Sequence, residues 1–122
     1  MIKKVKFVSI PVTDQVRALE FYTEKLGFTV HTDAPMGDWR WIELTIPGAE
    51  TGLTITPANP NSIAVGSWMN LCLDTADINA TYEELKAKGV EFTEPPTAQP
   101  WGTFAMFKDP DGNTFVLSQS ED

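Results

Sequence analysis

At 122 residues the chain is long enough for one domain that buries its own core, and 17 acidic against 9 basic residues give it a formal charge of −8. That balance disfavours a nucleic-acid partner, whose phosphates must be neutralised, and it attracts cations. Cys72 is the single cysteine, so an intrachain disulfide and a C-x-x-C metal site are both excluded and a reducing cytoplasm is the expected compartment. No signal-type apolar segment opens the chain and no run approaches the ~20 apolar residues of a membrane span, so no membrane partner is expected.

In chain order, Lys4–Val12 alternates as a strand, with Val8, Ile10 and Val12 on one face and Phe7 and Ser9 on the other. Asp14 is placed to cap a helix whose apolar positions are Val16, Leu19, Phe21, Tyr22 and Leu26, closed by Gly27. Strands are predicted over 28–32, 40–46 and 52–56, with a turn at Pro47-Gly48-Ala49-Glu50. Residues 58–66, rich in Asn, Pro and Ser, read as a connector. A second alternating strand spans 68–73. Asp77 caps a second helix carrying Ile78, Tyr82 and Leu85, which Gly89 ends. Strands follow over 90–93, 102–107 and 114–118, with a Pro-rich loop from Pro95 to Pro100 between the first two and a tight turn, Asp109-Pro110-Asp111-Gly112, between the last two.

The chain states one plan twice. An offset of about 62 sets Gly27 on Gly89, Trp39 on Trp101 and Glu43 on Ala105, and one residue less sets Phe7 on Trp68. Repeated β-α-β-β-β units explain this, with module one at 1–57, the connector at 58–66 and module two at 67–120.

The stretch "VTDQVRALEFYTEKLGF" and the later "DPDGN" carry a resemblance. The chain resembles the vicinal oxygen chelate superfamily, which includes glyoxalase I, extradiol dioxygenases and bleomycin resistance proteins. The resemblance implies an α+β fold, two tandem βαβββ modules forming cup-like mixed sheets with helices on the convex side. It further implies a homodimer and a ligand cavity on the concave side. In metal-dependent members four residues bind a divalent ion, one from the first strand and one from a later strand of each module. The matching positions here are Phe7, Glu43, Trp68 and Val116. Phe, Trp and Val offer no lone pair, so the expected metal is none and the expected cofactor is none. His31, the only histidine, is expected to be a solvated surface residue.

Strand parity gives the cup face independently of the resemblance. Ile42, Leu44 and Ile46 should face the helix, which turns Trp41, Glu43 and Thr45 the other way, with Trp39 just before them. Met69, Leu71 and Leu73 should face the second helix, which turns Trp68, Asn70 and Cys72 into the cup. Phe7 and Ser9 join from the first strand, Val116 from the last, and Trp101 sits at the edge of its strand. The candidate ligand-binding set is therefore Phe7, Ser9, Trp39, Trp41, Glu43, Trp68, Asn70, Trp101 and Val116: aromatic rings with one carboxylate. Such a lining suits a small organic ligand, cationic or aromatic, through cation–π attraction and ion pairing.

Three readings follow. The first is a metal-free small-molecule binding protein of the bleomycin resistance type, a drug-sequestering dimer. The alternative is a lyase, isomerase or dioxygenase of the same superfamily that uses Glu43 as its catalytic acid/base or as a metal ligand. The third is a dimeric interaction module whose tryptophans fill their own cup, as Trp often does at interfaces. Glu43 also reads as a relic of a lost metal site. Cys72 reads as a small buried residue before it reads as a nucleophile, and Arg40 reads as a rim charge.

Overall fold

The computed structural model describes residues 1–119. The chain divides into two compact units, the first spanning Met1–Val65 and the second beginning at Gly66. Each holds a four-stranded mixed sheet and one α-helix, so the fold is α+β with the βαβββ plan used twice. No helix among the described residues is long and apolar enough to cross a membrane.

The first unit contains β1 (Phe7–Val12), α1 (Gln15–Glu20), β2 (Thr29–Met36), β3 (Trp39–Thr45) and β4 (Gly52–Pro57). Its strand order is β1-β4-β3-β2, with β1 parallel to β4 and the other pairs antiparallel. Asp14 caps α1 as expected, accepting from the amides of Val16 and Arg17. The helix then widens into a π-helical turn, Phe21–Lys25. That turn buries the adjacent pair Phe21 and Tyr22 in a core that also holds Ile10, Ile42, Leu44 and Ile55. Val16, expected on the apolar face, lies exposed, and Ala18 takes the buried place instead, since 18, 21 and 22 share one helical face. Gly27 ends the segment at φ +80°, a left-handed position that glycine adopts without strain.

The second unit contains β5 (Trp68–Asp74), α2 (Ile78–Ala87), β6 (Glu91–Gln99), β7 (Gly102–Lys108) and β8 (Thr114–Gln119), in the order β5-β8-β7-β6. Ile78 and Leu85 of α2 are buried, and Tyr82 meets Phe92 edge-on, with ring centroids 4.7 Å apart. Phe92, Phe107 and Phe115 continue the aromatic core.

The Pro-rich loop expected from Pro95 to Pro100 is instead mostly strand: β6 runs through Pro95 and Pro96 to Gln99. The strand lies at the sheet edge, where a missing N–H costs no ladder bond, and its register shifts twice between Phe92 and Thr97. In the same unit the Asp109–Gly112 turn is a closed hydrogen-bond knot. The buried Asp109 carboxylate accepts from the amides of Asp111 and Asn113 and from the Asn113 carboxamide. Asn113 in turn accepts from the Gly66 amide at 2.8 Å, which ties the end of the connector to the β7–β8 hairpin.

Candidate functional site

In each unit the helix covers one sheet face and leaves the other to carry chemistry. On β3, Ile42 and Leu44 are fully buried, which turns Trp39, Trp41, Glu43 and Thr45 to the opposite face, as alternation predicts. Register brings three strands together there: Ser9 of β1 pairs with Thr54 of β4, and Thr54 pairs with Glu43 of β3. The buried Thr54 hydroxyl donates to the Ser9 hydroxyl at 2.8 Å. Phe7 and Trp41, on strands separated by β4, meet edge-to-face with centroids 5.6 Å apart. Such a pair contributes roughly 0.5–1.5 kcal/mol beyond its area. Phe7, Ser9, Trp41 and Glu43 are thus brought onto one face.

His31 joins them, a neighbour that strand alternation alone does not supply. The β2–β3 register slips between Val30 and Thr32, so His31 is an extra residue beside Glu43. Its ring Nδ1 lies 4.0 Å from Glu43 Oε2 and 2.9 Å from the Thr32 hydroxyl. His31 is solvated, with 60% of its side chain exposed, whereas Glu43 is only 12% exposed.

Trp39 serves a different feature. A pocket of about 1100 Å³ opens at the end of the first unit's sheet, between the start of α1, the tip of the β2–β3 hairpin and residues 57–62. Trp39, Arg40 and Ser9 line it, while Glu43 and Trp41 do not. Arg40 is more than a rim charge. Asp33 binds its guanidinium through Nε and one terminal nitrogen, and those bonds raise its pKa above the ordinary arginine value. Gln15 fixes the backbone of this wall: its carboxamide accepts from the Arg40 amide and donates to the carbonyls of Arg40 and Ile55. Its only signal in the sequence is its place one residue after the helix cap.

In the second unit, Trp68 is 44% exposed and its indole N–H donates to Asn70 at 3.4 Å. Asn70 has φ +55°, a left-handed conformation that asparagine tolerates, within the stretch where the β5–β8 register shifts. Cys72 and Val116 pair across β5 and β8, and Met106 pairs with Val116 across β7. Cys72 is exposed, so the buried position expected for it is not found. Trp101 stands 70% exposed at the β6–β7 turn. Phe104 and Met106, on the same face as Val116, are additions to the expected set; the buried Ala105 and Phe107 alternate with them and are the signal that could have found them.

The comparisons agree with this architecture. The sequence profile of the Glyoxalase/Bleomycin resistance protein/Dioxygenase superfamily matches residues 4–117. The chain belongs to that superfamily. The YetH protein of Bacillus subtilis (strain 168) is 42% identical over 120 residues, covering 98% of this chain and all of the relative. The crystal structure of TnmS3, an antibiotic binding protein from Streptomyces sp. CB03234, superposes with a TM-score of 0.89 at 37% identity, over 98% of each chain. A superfamily member from Sphaerobacter thermophilus DSM 20745 gives the same score at 34% identity, again over 98% of each chain.

Members of the glyoxalase/bleomycin resistance superfamily that hold a metal need donors on the first and a later strand of each module. Here β1 and β5 supply Phe7 and Trp68, and β8 supplies Val116. The strand of the first unit that pairs in parallel with β1, as β8 does with β5, is β4, so the residue in Val116's place is Thr54 and not Glu43. Among the described residues no three His, Cys, Asp or Glu side chains are grouped to hold a metal ion. Glu43 with His31 offers two donors, too few for the donor shells that divalent ions take. The residues at these positions do not fit the metal.

Proposed function

We propose that this chain is a metal-free small-molecule binding protein that holds a flat aromatic guest, preferentially a cation, against the open sheet face of its first unit. The observation that carries this is the Phe7–Trp41 edge-to-face pair on the same face as the nearly covered Glu43 carboxylate. Aromatic faces attract a cation by roughly 0.5–2 kcal/mol each, and two such contacts with an ion pair support micromolar binding. The similarity to TnmS3, an antibiotic binding protein, at 37% identity supports an antibiotic-type guest. The reading extends to a cytoplasmic compartment and to a homodimer, the latter favoured by exposed apolar side chains at Met36, Ile63, Trp68 and Trp101.

The test is quenching of tryptophan fluorescence by an acridinium dye, a planar aromatic cation. Micromolar quenching lost in Trp41→Ala and kept in Trp68→Ala is expected. Equal binding by wild type and Trp41→Ala removes the reading. Elemental analysis of protein purified without chelator should find no stoichiometric metal.

A second reading, a lyase or isomerase, draws on the 4.0 Å approach of His31 to Glu43, a gap across which a proton passes only through one bridging water. It expects Glu43→Gln to abolish turnover of a bound substrate while binding persists.

A further inference from the structure

The pocket at the end of the first unit's sheet is chemically unlike the aromatic face beside it. At about 1100 Å³ it has ample room for a polar arm of a guest, since whole drug-sized guests occupy pockets of roughly 300–1000 Å³. Trp39 lines it, and Val12, Pro35 and Pro57 add apolar surface, beside planar polar groups: Asp38 and Arg40 from the hairpin, and Asn59 and Asn61 from the connector. Trp39 is half-buried, and the β2–β3 ladder sets its backbone opposite Met36, so the indole is presented at the hairpin tip. Arg40 is oriented by Asp33 through Nε and one terminal nitrogen, which leaves the other terminal nitrogen to donate. The Gln15 carboxamide is engaged by the backbone on both its oxygen and its nitrogen, so it sets the wall's position and does not serve a guest. Asn59 accepts from the Asn61 amide at 2.8 Å and so shapes the turn that presents the Asn61 side chain.

Carboxylate, guanidinium and carboxamide groups each pair with two vicinal hydroxyls at once, and an indole face packs against the C–H face of a pyranose ring. We infer that this pocket is a sugar subsite, which takes a hydroxyl-rich glycosyl arm while the Phe7–Trp41 face takes the ring that bears it. The inference rests on the proposed binding function and names the second half of its guest.

The test compares a hydroxyanthraquinone with its own O-glucoside by quenching of tryptophan fluorescence, beside the acridinium dye as the control for the aromatic face. The glucoside should bind about tenfold more tightly than the aglycone, the gain of one or two well-made hydrogen bonds with ring stacking. Asn61→Ala and Asp38→Ala, both at exposed turn positions, should erase most of that gain and leave aglycone affinity unchanged. If the dye binds while glucoside and aglycone bind equally, the sugar subsite is wrong and the aromatic face stands. A gain that survives both substitutions overturns the subsite as well. If neither dye nor anthraquinones bind, both readings fall together.

Discussion

The two units build the same sheet and then furnish its open face differently. In the first, the row running across β1, β4 and β3 is Ser9–Thr54–Glu43. In the second, the matching row across β5, β8 and β7 is Cys72–Val116–Met106. One row ends in a carboxylate and carries an internal hydroxyl–hydroxyl bond; the other is soft and uncharged. A repeated fold therefore does not imply a repeated site. The second unit also invests more in its turn, where a buried Asp109 accepts three hydrogen bonds, while the corresponding turn of the first unit relies on the Ala49 amide donating to Ile46.

The largest effect is expected at the turn. Asp109→Ala strands the buried Asn113 amide and carboxamide and should cost about 3 kcal/mol. In the first unit the sharpest constraint is at Gly52, the first residue of β4: in Gly52→Ala the added methyl would lie 2.5 Å from the Leu44 carbonyl oxygen and should cost about 2 kcal/mol. Thermal melting of both variants reads this; an unchanged midpoint for either contradicts the packing described.

A gentler change addresses the two rows. Thr54→Val gives the first unit the side chain that the second carries at Val116 and removes the bond to Ser9. It should cost about 1 kcal/mol, because Ser9 is exposed and regains water. The smallest contrast is at the helix caps. Asp14 serves two amides and Asp77 one, so Asp14→Ala should cost about 1 kcal/mol and Asp77→Ala about half that in chemical denaturation.

These contrasts also mark how far the sequence could be read. Both helix caps, both closing glycines and the repeat were legible because each is local: Asp14 and Gly27 announce the first helix as Asp77 and Gly89 announce the second. Parity on β3 was legible because Ile42 and Leu44 alternate without interruption. Fixed offsets failed where a strand gains residues. Glu43 aligns by counting with Ala105, yet Ala105 pairs with Leu117 in the core, and the residue in Glu43's place is Met106; one step of slip exchanges the faces. His31 was read as solvent-facing and is, but the bulge that brings it beside Glu43 leaves no local mark. The pocket was illegible for a further reason. Its walls come from α1, the hairpin tip and residues 57–62, and only the sheet's register brings them to one place.

Binding of a cationic guest depends above all on what Glu43 does for it, and calorimetric titration of Glu43→Gln measures that directly. The acridinium dye should lose about tenfold in affinity, and an uncharged ring of the same shape should lose none. Equal affinity of the dye for both proteins would contradict a carboxylate that pairs with the guest.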